Sequence, residues 1–376
     1  MRLTGHLGGQ CGGGTSRVES EAGTLRRPKL VVGQSSSIVI SLDLEQAWGC
    51  EPHRIGAAER AAFLGVRDAV PRILDLAERY GVAITWATVG LLFFDDRDEM
   101  LAHLPAERPD YADPGLCAYS RLAAVGPDEK ADPLHFGRSL LRQIQSCPLQ
   151  EIGGHSFSHY YTFEDAGNAV AFEADLAAAA RAAALMEIEL KSFVFPRNQV
   201  NPAYLPICRQ AGYISFRGVQ RGAAHASRSR GAERAWHRAS RWARTYLPEN
   251  GAHPPSRPSI DGGLANLAAS HFLRPTRAGR AIADRLQRAR IRKGMVRAAQ
   301  AGAMYHLWWH PQNFGLDVAA NIEVLRGILE DYRHLADRFG MASVSMGELG
   351  ERTLKAPPAQ GEEERRSLRR PANASS

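Results

Sequence analysis

Two histidines four residues apart, His155 and His159, follow a short apolar run in the segment Glu-Ile-Gly-Gly-His-Ser-Phe-Ser-His. If a turn of helix begins there, both rings project from one face and can bind one divalent ion. The spacing alone is weak evidence, because 13 histidines in 376 residues give roughly 0.45 such pairs by chance, and His306 and His310 form a second pair. The alternative is a pair of surface or helix-capping histidines.

Further polar residues stand where predicted strands stop. They are Asp43 and Glu45 after the run 37–42, Arg197 after 192–195, and His310 after 302–309. The carboxyl ends of parallel strands gather on one face of an α/β fold, so these residues and the histidine pair can converge although they are far apart in sequence. Asp43 and Glu45 are two residues apart on an extended backbone, which places both side chains on the same side.

This set of residue types suits metal-assisted amide hydrolysis. One carboxylate can bind the ion and its neighbour can accept a proton, while the ion polarises the carbonyl and lowers the pKa of a bound water. Structural interpretations stand beside this one. An acid after a strand often caps the next helix, Arg197 can be a surface ion-pairing arginine, and His306 either lines the pocket wall or fills the core.

Apolar periodicity predicts alternating strands and helices. Strands are expected at 37–42, 82–88, 149–153, 192–195, 213–217, 302–309 and 342–346, and helices at 57–80, from about 90, 135–146, 164–190, 202–211 and 317–339. A loop insertion is expected at 105–133, which is rich in proline and aspartate. Repeated βα units with apolar strands indicate a parallel sheet covered by helices, and a barrel is its natural closure.

The ends of the chain and one internal segment depart from this rhythm. Residues 1–34 and 354–376 are polar, without apolar period, and are predicted to be a disordered leader and tail around a unit spanning 35–353. From about 220 to 302 the alternation breaks, and we expect an Arg-rich helical insertion over one rim of the barrel. Its arginines concentrate in 217–244 and 274–297.

The net charge of +7 and the pI near 9.3 suit an anionic partner. No zinc-finger, homeodomain or RNA-recognition pattern accompanies the arginines, so we expect no nucleic acid partner. The segment 228–247 mixes arginines with tryptophans. It is interpreted either as a solvated helix or as a membrane-surface helix that keeps the protein near lipid-linked or nucleotide-linked sugars through their phosphates.

Five scattered cysteines, odd in number and without C-x-x-C spacing, are interpreted as reduced thiols. No stretch approaches the ~20 apolar residues of a membrane span. The amino terminus lacks the apolar region of an export signal. These features predict a cytoplasmic protein.

The order of the strand-end motifs resembles that of the polysaccharide deacetylase family, the NodB-homology proteins of carbohydrate esterase family four. The resemblance runs from about Ser37 to Met346, and 220–302 matches poorly. It implies a distorted (β/α) barrel that removes acetyl groups from N-acetylated sugars with a divalent metal, usually zinc or cobalt.

The metal-binding residues that the resemblance implies are His155 and His159, in a variant of the family's H-S-x-x-H motif. Asp43 matches the catalytic base. The family's first motif is T-F-D-D-G with adjacent aspartates, whereas this chain has Leu44 at the second position. Some members space the two acids by one residue, which implies Glu45 as the third ligand, and the choice between Asp43 and Glu45 as the metal-binding acid stays open.

The two remaining catalytic residues implied by the resemblance are Arg197 and His310. Arg197, in Phe-Pro-Arg-Asn, resembles the arginine that orients the base, although the family's R-x-x-P-Y order is altered. His310, in Leu-Trp-Trp-His, resembles the histidine that protonates the departing amine. No D-x-x-D-W element is found, so the residue that positions His310 is unassigned.

We therefore expect a cytoplasmic, metal-dependent de-N-acetylase that acts on an N-acetylated precursor of a cell-surface glycan or related amino sugar. Two alternatives stay open. One is another hydrolase of non-peptide C–N bonds on the same barrel, because a fold does not determine a substrate. The other is a non-catalytic carbohydrate-binding relic, which the altered first and third motifs suggest.

Overall fold

A computed structural model describes residues 36–50, 55–219, 255–277 and 279–356. The predicted leader 1–34 lies outside these ranges, as do the candidate membrane-surface segment 228–247 and all but the first three residues of the predicted tail. None of the helices in the described ranges is both long and apolar enough to cross a membrane.

The centre of the molecule is a curled ten-stranded sheet that forms a half-barrel with helices on its outer side. Its strands are β1 Ser37–Leu44, β2 Ile84–Thr88, β3 Gln150–Gly154, β4 Ser192–Phe193, β5 Ser215–Phe216, β6 Ser259–Asp261, β7 Leu264–Asn266, β8 His271–Phe272, β9 Met304–Trp309 and β10 Ala342–Ser343. The strand order is β6-β7-β5-β4-β3-β2-β1-β9-β8, and β10 pairs with β1. Neighbouring strands are parallel except for β6 and β7.

Eight helices accompany the sheet in the described ranges. They are α1 Ala57–Tyr80, α2 Arg97–Ala102, α3 Arg138–Ser146, α4 Ala169–Ala184, α5 Leu205–Gln210, α6 Ala281–Gln300, α7 Val318–Phe339 and α8 Met346–Lys355. Helix α1 has the predicted bounds because its apolar stripe, which includes Phe63, Val66 and Ile73, is buried. It ends at Gly81, whose φ of 63° is the left-handed conformation that glycine adopts readily. Helix α7 packs against both α1 and α6.

Strand β1 positions the candidate site because it lies inside the sheet, between β2 and β9, and all eight of its residues are buried. Its side chains alternate between the two faces, as in any strand. Ile38 and Ile40 belong to the large apolar core under the helices, whereas Val39 belongs to a second cluster inside the half-barrel. Asp43 and Glu45 continue the series of odd-numbered residues that begins with Val39, which confirms that the two acids lie on one side.

Residues 255–302, predicted as part of an insertion over the rim, belong to the barrel itself. They contribute β6, β7 and β8 to the sheet and α6 to the outer helix layer. The sequence pattern failed here because these strands are only two or three residues long, too short to show an apolar period. Strand β6 pairs with β7, whereas β7 and β8 pair with β5 and β9, which are distant in sequence. Residues 220–254 lie outside the part of the chain that the structure describes.

Two helix predictions are corrected in detail. The helix expected at 164–190 is α4, Ala169–Ala184, because Gly167 takes a φ of 84° and the Asn168 side chain accepts a hydrogen bond from the amide of Ala171. Both features mark a helix start. The helix expected from about 90 is a 3-10 turn over Gly90–Phe93, followed by the short α2.

Candidate active site

Three buried side chains that could hold a metal ion meet at the carboxyl ends of β1 and β3. The Oε2 atom of Glu45 lies 3.0 Å from Nε2 of His159 and 3.4 Å from Nε2 of His155. The candidate ligand atoms all lie within 4.8 Å of one another, and within the described ranges no other group of three acids, histidines or cysteines has this arrangement. The structure therefore brings together the three residues that were predicted from the sequence as metal ligands.

The protonation of this group fits a divalent cation. His155 donates from Nδ1 to the carbonyl oxygen of Val194 at 2.8 Å, so its Nε2 carries the lone pair; that atom is buried and has no hydrogen-bond partner. A ring fixed in this way is typical of a metal ligand. Burial lowers the pKa of His159 to about 4, so this ring is neutral at pH 7. Burial opposes ionisation of Glu45, but the charge of His310 and the neighbouring rings of His155 and His159 outweigh it and lower the pKa of Glu45 well below its usual value.

The expected helical turn at the histidines is wrong, because residues 155–160 form a loop. Ser156 and His159 take positive φ values of 59° and 58°, a conformation that is unusual for residues other than glycine. The buried Asp175 carboxylate of α4 holds the loop. It accepts hydrogen bonds from the amides of Phe157 at 2.6 Å and Ser158 at 3.1 Å, and from the Ser158 hydroxyl.

Asp43 lies beside this group in a buried ion pair with Arg217. The guanidinium donates from Nη1 to Oδ1 at 2.6 Å and from Nη2 to Oδ2 at 2.7 Å. It also donates to Asn198 Oδ1 and to Ser41 Oγ, and it lies 4.1 Å from the centre of the Trp308 ring. Burial raises the pKa of Asp43, but the charge of Arg217 and its hydrogen bonds outweigh burial, so the net shift is downward.

Arg197, predicted to orient Asp43, lies elsewhere. It is exposed on a 3-10 turn, and its guanidinium is 4.9 Å from the centre of the Tyr161 ring. Pro196 begins this turn, and Arg197 has a φ of 54°. The described contacts of Asp43 assign the orienting position to Arg217, which sequence reasoning missed. The signal was available, because Arg217 is the last residue of a predicted strand, 213–217.

His310 follows β9 and faces both carboxylates. Its Nε2 lies 3.7 Å from Asp43 Oδ2 and 3.5 Å from Glu45 Oε1. Its ring lies against Phe272 and Trp308, with centroid distances of 5.9 and 5.8 Å. These neighbours supply the positioning for which the sequence offered no motif. The side chain is 24% exposed, so it is more accessible than either carboxylate.

His306 fills the core below the site and does not line the pocket wall. Its Nδ1 donates to the carbonyl oxygen of Leu267 at 2.9 Å, and its Nε2 accepts a hydrogen bond of 2.9 Å from Ser41. Burial, together with the charge of Arg217, lowers its pKa to about 3. A neutral His306 thus supports Ser41, which in turn accepts from Arg217.

Comparisons with known proteins found similarity in overall structure and none in sequence. No family model and no curated protein matches the sequence. A candidate polysaccharide deacetylase from Mycobacterium smegmatis superimposes with a TM-score of 0.54 at 14% identity, over 89% of this chain and 96% of that one. A second candidate polysaccharide deacetylase, from Pseudomonas aeruginosa PAO1, gives 0.47 at 12% identity, over 86% and 92%. A family 4 carbohydrate esterase from Streptomyces lividans gives 0.37 at 9%, over 82% and 91%.

The superposition on the Mycobacterium smegmatis protein covers nearly the full length of both chains. At this level of identity it establishes the fold and leaves the activity to be argued from the site. The chain has the fold of the polysaccharide deacetylases, as the order of its strand-end motifs predicted.

Proposed function

We propose that this protein is a metal-dependent hydrolase that removes the N-acetyl group from an N-acetylated sugar or glycan precursor. The observation that carries the proposal is the buried, unpartnered Nε2 of His155, which faces the Glu45 carboxylate beside His159. Two imidazoles and one carboxylate whose ligand atoms lie within 4.8 Å of one another have the chemistry of a divalent metal site.

Glu45, His155 and His159 would hold the ion. When bound, it supplies positive charge that polarises the acetamide carbonyl and acidifies water. Two nitrogen donors and one oxygen donor suit zinc, and cobalt accepts the same donors. Asp43 is less suited than Glu45 to bind the ion, because both of its carboxylate oxygens already accept hydrogen bonds from Arg217.

Asp43 is proposed as the general base. Arg217 keeps it ionised at neutral pH and fixes the plane of the carboxylate. Because the pKa of Asp43 is lowered, its carboxylate is a weak base. It would accept a proton from the attacking water only as that water becomes more acidic. The bidentate geometry also prevents rotation of the carboxylate, and orientation of this kind contributes to general base catalysis.

His310 is proposed as the general acid that protonates the departing amine nitrogen. It lies on the side of the two carboxylates that is partly exposed, and a proton on Nε2 would face both of them at 3.5 to 3.7 Å. The neighbouring Trp308 is half-buried. Its ring can stack on the apolar face of a sugar that presents its acetamide to His310.

The basic character of the chain suggests that the sugar carries phosphate, as a lipid-linked or nucleotide-linked precursor in the cytoplasm would. Peripheral membrane contact through 228–247 belongs to the same proposal. Retention of the protein by vesicles with anionic lipid at low salt, and its release as salt rises, is the expected result. If the vesicles fail to retain it at low salt, the membrane part of the proposal is wrong.

The decisive experiment is acetate release by the zinc-loaded protein from a panel of N-acetylhexosamine derivatives, with the Asp43→Asn variant as control. We expect release by the wild type that is lost on chelation. Opening of a cyclic amide without acetate release would indicate another C–N hydrolase. A protein that binds neither zinc nor cobalt would be a relic, and the proposal would be wrong.

A further inference from the structure

We infer that Gln312 is a positioning residue that aims the Glu45 carboxylate at the metal, and that Gly49 provides the space in which this carboxylate lies. The inference rests on the proposed metal site, which it deepens. It concerns a feature of this chain, in which the proposed metal-binding acid is a glutamate two residues after Asp43. A longer side chain needs more support to hold one orientation.

The two oxygens of the Glu45 carboxylate have different neighbours. Oε2 faces the two histidine nitrogens at 3.0 and 3.4 Å. Oε1 lies on the other side, where it accepts a hydrogen bond of 3.1 Å from Nε2 of Gln312 and lies 3.5 Å from Nε2 of His310. The amide therefore occupies the oxygen that is turned away from the histidines and leaves the other oxygen for the ion.

The orientation of the Gln312 amide follows from its partner. An ionised carboxylate only accepts hydrogen bonds, so the NH₂ group must face Glu45. Gln312 lies on the 3-10 turn Pro311–Asn313, directly after His310. The turn that carries the proposed general acid thus also carries the group that orients the metal-binding acid.

Gly49 ends the 3-10 turn that begins immediately after Glu45. A Cβ atom built on Gly49 would collide with Cδ and both oxygens of the Glu45 carboxylate. The carboxylate therefore lies directly against the backbone of this turn. Gly49 and Gln312 enclose it from two sides, and a side chain at position 49 would displace it from the histidines.

The test measures zinc affinity of the full-length protein by competition with a chromophoric chelator. We expect Gln312→Met, which keeps the length but removes the donor, to weaken zinc binding by about 10–100-fold, as is common for partners of metal ligands. Gly49→Ala should weaken it at least as much. The visible absorption of bound Co²⁺ should change in both variants, because it reports the geometry of the ligands.

Matched controls exist in the same chain. Gln145 donates to a backbone carbonyl away from the site, at Met186, and Gly56 lies near the flexible end of the Glu59 side chain. Gln145→Met and Gly56→Ala should leave zinc affinity within twofold of wild type. Circular dichroism and thermal unfolding of the metal-free variants identify any that fail to fold.

The outcomes separate this inference from the proposed function. If the wild type binds no zinc or cobalt, the metal site itself is refuted. If the wild type binds zinc and folded Gln312→Met binds it equally well with an unchanged cobalt spectrum, only the role of Gln312 is wrong. Selective loss of affinity in the Gln312 and Gly49 variants supports the inference.

Discussion

Replacement of Arg217 by methionine should destabilise the protein strongly, because it leaves the Asp43 carboxylate buried without its partner. Both side chains of the pair are almost inaccessible, at 0% and 4% exposure. Removal of one member of a buried ion pair typically costs about 3–5 kcal/mol, since an uncompensated charge stays in the interior. Part of the loss also comes from Ser41 and Asn198, which lose a donor.

The loss should depend on pH in a defined direction. In the wild type the pKa of Asp43 is lowered, so the stability that the pair contributes is present above the unfolded-state pKa and is lost as the pH falls through the folded-state value. In Arg217→Met the charge of Arg217 and its hydrogen bonds are gone, so burial is opposed only by the weaker effects of His310 and His155, and the pKa of Asp43 rises. The deficit of the variant should therefore be largest near pH 7 and shrink toward pH 4.

The assay is urea unfolding of metal-free protein at several pH values, with Arg197→Met as the matched control. Arg197 is exposed, so its replacement should change the free energy of unfolding by less than about 1 kcal/mol. The double variant Asp43→Asn/Arg217→Met should recover part of the deficit because it removes both charges. A loss below 1 kcal/mol for Arg217→Met, or one equal to that of Arg197→Met, would refute the buried pair.

Three further predictions concern the same site. His155→Ala and His159→Ala should lose bound zinc in equilibrium dialysis. Asp43→Asn should keep its zinc, but its rate of acetate release should fall by a factor on the order of 10² or more. Loss of zinc in Asp43→Asn would contradict the assigned roles. Because burial lowers the pKa of His159 to about 4 and that of His306 to about 3, their contribution to stability is complete above about pH 6.5 and falls as the pH drops toward those values. Urea unfolding should show a shallower dependence in His306→Gln, and an unchanged slope would contradict neutral burial. Asp175→Ala should remove the acceptor for two amides of the loop 155–160 and lower the free energy of unfolding by about 1–3 kcal/mol. It should also weaken zinc binding, and an unchanged zinc affinity would show that the loop keeps its conformation without Asp175.

The long elements of the fold could be predicted because their own residues determine them. The apolar stripe of Ala57–Tyr80 predicts α1 with its bounds, and the apolar run at 37–42 predicts β1. Strands β6 to β8 could not be found in this way. Each is only two or three residues long. Strands β7 and β8 are defined by pairing with β5 and β9, which are distant in sequence, and β6 pairs with β7 across the turn at Gly262 and Gly263.

The candidate site was predictable in its residue types and less so in its geometry. Alternation along β1 correctly placed Asp43 and Glu45 on one side, and the strand-end rule correctly brought His310 and the histidine pair to them. The choice between Arg197 and Arg217 was not settled by that rule, because both arginines follow strands. The structure decides it, because Arg197 is exposed, whereas Arg217 donates to Asp43 and to the Asn198 side chain.

The most direct test of the central claim is an anomalous diffraction map, recorded at the zinc edge, of crystals of the zinc-loaded protein. We predict one strong peak at about 2.0–2.2 Å from a Glu45 oxygen and from Nε2 of both His155 and His159, with Asp43 still bound to Arg217. A peak elsewhere, or zinc bound to the two histidines while Glu45 stays outside bonding distance, would contradict the proposed site.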